Sequence, residues 1–253
     1  MKGFLETDAG RLEYARWGSS DTGRLPVLLL HEGLGSVSLW KAFPEQLAAA
    51  TGREVIAWSR HGHGHSAGIQ IAHDVDYMHR EADLLPVVHD ALGLERAHWL
   101  GHSDGGSIAL IAAARYPALV SSLILEAPHV YVEKLTLSSI AQIAAGFANS
   151  DMGERMKKYH RDPSSMFHRW TEIWLNPAFL EWNIEEVLSD LTVPVLLIQG
   201  LDDQYGTLDQ LARIEASLSE TERLELSGCG HSPHHERTDA VLTKLTEYLN
   251  GKA

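Results

Sequence analysis

The sequence holds a single cysteine, Cys229, among 253 residues, so no internal disulfide can form and nothing demands an oxidising compartment. It has no apolar run near the roughly 18 residues that a membrane-spanning helix needs. It is also short of basic residues: 21 Lys and Arg stand against 34 Asp and Glu, a formal charge of −13. An acidic balance of that size disfavours nucleic acid and anionic membranes as partners, because both are held by basic faces. No internal repeat or low-complexity stretch occurs, and the opening residues Met1–Asp8 lack the apolar segment of a secretory signal. With 44% hydrophobic residues the chain can bury a substantial core. The expectation is a globular, cytoplasmic protein whose partner is a small molecule; its oligomeric state is not legible.

What the chain does have is alternation. Short β-branched or leucine-rich runs occur at Leu12–Trp17, Pro26–His31, Glu54–Trp58, Ala97–Gly101, Val120–Glu126, Val193–Gly200 and Arg223–Leu226. Runs such as Val27-Leu28-Leu29-Leu30 and Val195-Leu196-Leu197-Ile198 are apolar on every residue, as strands covered on both faces must be. Amphipathic stretches separate them, at Trp40–Ala50, Tyr77–Leu92 (with a kink expected at Pro86), Asp104–Tyr116, Leu208–Leu218 and His235–Asn250. The pattern predicts an α/β fold, a mostly parallel sheet flanked by helices.

One segment breaks the rhythm. Between His129 and Asp190 no strand is expected; helical patches run over Val132–Phe147, Met152–Tyr159, Ser164–Trp174 and Ala178–Leu188, with Trp170, Trp174 and Trp182 among them. The reading is a helical cap, residues 129–190, inserted into a core formed by residues 1–128 and 191–253. Such an insertion commonly covers the C-terminal edge of the sheet, where ligands bind. The alternative is a helical subdomain that only completes the core.

Chemistry concentrates at three points. Gly101-His102-Ser103-Asp104-Gly105 follows an apolar strand and opens a helical run. In that setting G-x-S-x-G is a nucleophile elbow, a turn so tight that the positions two before and two after the serine must lack side chains. It lifts the Ser103 hydroxyl to a helix N-terminus, where negative charge is favoured. A serine needs a base, and the base an orienting acid. Asp202 and Asp203 follow one later strand, and His231 follows the next, flanked by Gly228 and Gly230. His61, His63 and His65, and His231, His234 and His235, suggest a metal only superficially: the first set is spaced by Gly62 and Gly64, and no histidine pair joins a carboxylate at helical spacing. Neither a metal nor a cofactor is expected, and Cys229 has no Cys-x-x-Cys partner.

Along nearly its whole length the sequence resembles the α/β-hydrolase superfamily, best its small helix-capped members: prolyl aminopeptidases, carbon–carbon bond hydrolases, haloperoxidases and esterases. The resemblance implies a catalytic triad in the order Ser103, acid, His231, and its Gly-x-x-Asp pattern selects Asp203 over Asp202. It implies oxyanion donors at the backbone N–H of Asp104 and in the loop His31-Glu32-Gly33-Leu34-Gly35, similar to the family's His-Gly-x-x-Gly. Glu32 replaces a glycine there, so either Gly33 or Leu34 supplies the second donor, with Gly33 favoured. The stretch Ser59-Arg60-His61-Gly62-His63-Gly64-His65-Ser66 resembles the family's Arg-Gly-x-Gly-x-Ser loop, implied to shape the rim without a catalytic part. Ser-Asp-Gly-Gly resembles the elbow of amino-acid-ester hydrolases of the valacyclovir-hydrolase type, in which the acid beside the serine binds the substrate ammonium.

The function expected is a serine hydrolase cleaving a small carboxylic ester, amino-bearing esters included, with Asp104, Glu32 and Leu34 as candidate substrate contacts. Asp104 has a plainer alternative, a solvent-facing first-turn carboxylate, and Glu32 another, a carboxylate bonded to nearby N–H groups. Carbon–carbon bond hydrolysis, N-terminal proline release, and a non-catalytic small-molecule receptor are the competing functions.

Overall fold

The computed structural model of the chain describes residues 1–68 and 74–251. Eight strands form one sheet in the order β1-β2-β4-β3-β5-β6-β7-β8. They are β1 (Lys2–Thr7), β2 (Gly10–Trp17), β3 (Val27–Leu30), β4 (Val55–Trp58), β5 (Ala97–His102), β6 (Val120–Glu126), β7 (Val195–Gly200) and β8 (Thr221–Leu226). β1 and β2 are antiparallel additions at one edge, and every pair from β4 to β8 is parallel. The α/β expectation therefore holds. The strand it missed is β1, an edge strand whose one buried residue, Leu5, offers no apolar alternation to read.

Side chains along a strand alternate between faces, and the core divides accordingly. From β3 and β4, Leu28, Leu30, Ile56 and Trp58 pack on one side with α2 (Tyr77–Ala82), α3 (Leu85–Leu92) and α4 (Asp104–Arg115). Val27, Leu29, Val55 and Ala57 pack on the other with α1 (Phe43–Thr51) and, from the end of the chain, Val241, Leu245 and Leu249. The expected kink in 77–92 is a full break between α2 and α3, and Pro86 sits in the first turn of α3, where its missing N–H costs nothing.

Between β6 and β7 lie α5 (Lys134–Phe147), α6 (Met152–Met156) and α7 (Pro163–Trp174). The expected helix at Ala178–Leu188 is instead two 3-10 turns, Pro177–Glu181 and Glu185–Asp190, with the stretch between them held by an isolated bridge from Tyr131 to Asn183. The chain finishes with α8 (Leu208–Ser217), α9 (Pro233–Glu236) and α10 (Thr238–Asn250). No helix among the described residues is long and apolar enough to cross a membrane.

Strand order fixes where a site can form. From β3 the chain moves to β4 on one side, then returns to β5 on the other, so the loops leaving β3 and β5 diverge. The crevice beyond the C-terminal ends of strands at such a reversal is the usual ligand site of an open α/β sheet.

Candidate active site

Ser103 stands at that crevice, between β5 and α4. Its backbone has φ 54° and ψ −119°, a region that costs a non-glycine residue about 1–3 kcal/mol. The turn is held by hydrogen bonds from Ser103 N to Glu126 O (2.8 Å) and from the Gly106 and Ser107 N–H groups to Ser103 O (2.8 and 3.1 Å). The two glycines are steric necessities. A Cβ on Gly105 would lie 2.1 Å from Leu30 O at the end of β3, and one on Gly101 would lie 2.4 Å from Gly105 O.

Asp203 and His231 approach from β7 and β8. The loop after β8 hangs on the end of β7: Leu201 N donates to Leu226 O and Asp202 N to Cys229 O, both at 2.9 Å. His231 Nδ1 lies 2.9 and 2.8 Å from the two carboxylate oxygens of Asp203. Asp203 also accepts from Tyr205 N (2.7 Å) and from Gln199 Nε2 (2.6 Å). Burial pushes its carboxyl up, but the attraction of His231 and these hydrogen bonds outweigh that and hold it below the usual range. Asp202 is exposed, so the geometry distinguishes the neighbouring acids. His102, beside the serine, bonds through Nε2 to His231 O at 2.7 Å.

Ser103, Asp104 and His231 line one cavity of about 190 Å³, with Glu32, Gly33 and Leu34 on the β3 side. Trp170, Trp174, Ile140 and Thr136 face it from the helical segment. Trp182 instead packs away from it, against Phe179 and Trp174. Gly33 is in close contact with that segment: a Cβ there would fall 2.1 Å from Trp170 Nε1. Neither Gly33 N–H nor Asp104 N–H has an acceptor among the described residues.

The Asp104 side chain is 1% exposed, so the solvent-facing alternative fails. Tyr77 Oη donates to its Oδ2 at 2.6 Å, Arg60 Nη2 is 3.8 Å from the same oxygen, and Oδ1 makes no full hydrogen bond among the described residues, although the Trp170 side chain also stabilises the carboxylate. Burial raises its pKa, opposed by Arg60 and Tyr77. Burial lifts Glu32 to about 7, against the attraction of His234 and Arg60. The Glu32 carboxylate does not take the N–H bonds expected of it; its Oε2 lies over Gly35, where a Cβ would meet it at 1.7 Å.

Of the histidines in 59–66, His65 is exposed and the other two are buried. His61 and His63 are 1% and 4% exposed. His61 Nε2 bonds to Ala9 O at 2.5 Å, and His63 packs beneath the Glu32–Gly35 loop. Among the described residues no group of three or more His, Cys, Asp or Glu is arranged to hold a metal ion. Cys229 is buried and unpaired.

Residues 26–162 match the family model of the alpha/beta hydrolase fold. The chain belongs to that family. It is 27% identical over 254 residues to the bifunctional esterase/perhydrolase of Acinetobacter calcoaceticus, covering 88% of this chain and 90% of that one. Over 117 residues it is 38% identical to a proline iminopeptidase of Lactobacillus delbrueckii subsp. lactis, covering 44% of this chain and 39% of the other. The solved structure of the 2-hydroxy-6-oxo-6-phenylhexa-2,4-dienoate hydrolase from Rhodococcus sp. strain RHA1 superposes with a TM-score of 0.83 at 20% identity, over 99% of this chain and 98% of that one. The α/β-hydrolase relatives are thus hydrolases of several bond types on one fold.

Sequence reasoning missed Tyr77 and Gln199 as neighbours of the site, and it placed Arg60 and His63 at the rim without their contacts to Asp104 and Gly33. Gln199 carried a signal, as the one polar side chain in the strand Val195–Gly200, directly after the apolar run Val195–Ile198. Tyr77 carried none, because the fold alone brings α2 under Asp104.

Proposed function

We propose that this α/β hydrolase is a serine hydrolase that cleaves a small carboxylic ester through Ser103, His231 and Asp203. The observation that carries the reading is the pairing of His231 Nδ1 with both Asp203 oxygens at the cavity that Ser103 lines on its strained turn. With Nδ1–H given to the carboxylate, Nε2 is left as the base. Ser103 Oγ attacks the ester carbonyl carbon while His231 takes the hydroxyl proton. The oxyanion is received by the N–H groups of Gly33 and Asp104, each such donor contributing roughly 3 kcal/mol to the transition state. The C–O bond then breaks, His231 protonates the departing alcohol, and an acyl-Ser103 remains. Water, deprotonated by His231, hydrolyses it to the free acid and returns the proton to Ser103. No step requires a metal or cofactor. We read residues 129–190 as the cap, because its Trp170, Trp174 and Ile140 line the cavity opposite the serine.

An amino-bearing ester is supported by one further observation, the buried Asp104 Oδ1, which makes no full hydrogen bond at the cavity wall, with Glu32 nearby. An ammonium group would supply the missing donor and offset the cost of that desolvated carboxylate. Carbon–carbon and proline-amide substrates remain the competing reactions, because the same triad serves both. The test is a panel of p-nitrophenyl and aminoacyl esters, free and N-acylated, with wild type and Ser103→Ala. Ester turnover that vanishes in Ser103→Ala while the fold persists supports the mechanism; retained turnover removes it. If N-acylation leaves kcat/KM unchanged, Asp104 is not an ammonium site.

A further inference from the structure

Glu32, Gly33 and Leu34 form a turn closed by a hydrogen bond from Gly35 N to Glu32 O at 3.0 Å. In a trans peptide the carbonyl and the following N–H point in opposite directions from one plane. Fixing the Glu32 carbonyl therefore aims the Gly33 N–H, and fixing the Gly33 carbonyl aims the Leu34 N–H.

Both carbonyls are held from the side away from the cavity. Glu32 O lies 2.7 Å from His31 Nδ1 and accepts from Arg60 Nη2 at 2.9 Å. His31 Nε2 accepts from Arg60 N at 3.0 Å, which leaves the proton on Nδ1 and makes His31 a donor to Glu32 O. Gly33 O is met by His63 Nε2 at 3.0 Å, while His63 Nδ1 sits 3.1 Å from His61 O. The His31 and His63 rings lie 4.9 Å apart, and His31, Arg60 and His63 are all buried. Burial, reinforced by the Arg60 charge, holds both imidazoles well below their ordinary range, so each is neutral and gives a single N–H. His63 faces a carbonyl at each nitrogen, and we assign its one proton to Nε2, on the shorter of the two contacts, toward Gly33 O.

The second plane is the one that needs holding. Gly33 has no Cβ to resist rotation, and a flip of the Gly33–Leu34 peptide would turn a carbonyl oxygen toward the cavity that Gly33 lines. There it would repel the oxyanion that the loop is required to receive.

We propose that His63 is a positioning residue for the oxyanion loop: through its Nε2–H bond to the Gly33 carbonyl it keeps that oxygen from turning into the cavity beside the Gly33 N–H and leaves the Leu34 N–H, not a carbonyl, on that side. This rests on the serine-hydrolase reading above. It also gives the segment 59–66 a catalytic consequence without contact to substrate.

The test compares His63→Gln with His63→Asn in the full chain. The Gln amide nitrogen reaches the place of the imidazole Nε2 and can keep the bond to Gly33 O. The Asn nitrogen reaches only the place of Nδ1. The readouts are kcat and KM for a p-nitrophenyl ester, and inhibition by a trifluoromethyl ketone, whose hemiketal oxyanion needs the loop donors. Expected is a kcat about 10- to 100-fold lower in His63→Asn at nearly constant KM, a parallel loss of ketone affinity, and recovery of most of both in His63→Gln. Wild-type kcat and ketone affinity in folded His63→Asn overturn the proposal, as does equal loss of kcat, KM and thermal stability in both variants. Fluorophosphonate labelling of wild-type Ser103 separates the two failures. If label forms and His63→Asn behaves as wild type, the positioning role alone falls. If no label forms, the hydrolase reading falls and takes the positioning role with it.

Discussion

The Tyr77 hydroxyl donates to Oδ2 of Asp104 across 2.6 Å, joining the first residue of α2 to the first residue of α4 beneath the cavity. Trp174 Nε1 donates in turn to the Tyr77 oxygen at 3.2 Å, so the helical segment is tied to the carboxylate beside Ser103. Removing the hydroxyl leaves the carboxylate to the Arg60 guanidinium, 3.8 Å from Oδ2, and to the Trp170 side chain. Tyr77→Phe should therefore cost about 1–3 kcal/mol, the range for stranding a buried acceptor, read from urea unfolding midpoints. A midpoint equal to wild type would mean that the bond contributes nothing.

The same carboxylate gives the amino-ester hypothesis a pH signature. Burial raises the Asp104 pKa, whereas an ammonium beside Oδ1 favours its ionised form. The ratio of kcat/KM for an amino ester over its N-acylated partner should rise with pH through the Asp104 titration and fall in acid. Asp104→Asn should flatten it. A ratio that is flat in wild type sinks the hypothesis and leaves the triad untouched.

Two glycines should respond oppositely to alanine. At Gly105 the new methyl meets the Leu30 carbonyl at 2.1 Å, backbone against backbone, and something must move. We expect Gly105→Ala to lose about 3 kcal/mol or more, or not to accumulate as folded protein. Gly146, in α5, has nothing within 4 Å of such a methyl. Gly146→Ala should gain roughly 0.5–1 kcal/mol from helix propensity, with calorimetry as the readout. Equal behaviour of the pair would contradict the packing described for the elbow.

Glu81 sets a slope in the stability curve. Burial lifts it from 4.5 to about 7, against the attraction of Arg60. Between those values the folded state keeps a proton that the unfolded state has released, so its contribution to stability falls as pH rises through that window. Glu81→Gln has no such proton. Wild type should lose on the order of 1–3 kcal/mol relative to the variant between about pH 4.5 and 7. A difference that does not change over this range would place the Glu81 carboxylate in contact with water.

The parallel sheet was legible because strands covered on both faces are written as unbroken runs, as in Val27–Leu30 and Val195–Ile198. The edge strand Lys2–Thr7 was not, since water on most sides removes the pattern. The three candidate site residues were legible because a nucleophile elbow needs glycines at fixed offsets, and an acid and a histidine follow separate strands. Their environment was not. Asp104 stays open between a substrate contact and a solvent-facing helix start until α2 supplies Tyr77, and His63 reads as a loop residue until the fold lays it under Gly33. Contacts between elements distant in sequence leave no local pattern, which is why the buried partners came only from the structure.

The central claim is that Ser103 is an activated nucleophile whose base is His231. It is tested most directly by the rate at which a fluorophosphonate modifies the folded protein, with the site mapped by peptide mass spectrometry in wild type and His231→Ala. The account predicts one label, on Ser103, forming at least about a thousandfold more slowly in His231→Ala. Absence of label on Ser103 in folded wild type, or an equal rate in the variant, would contradict it.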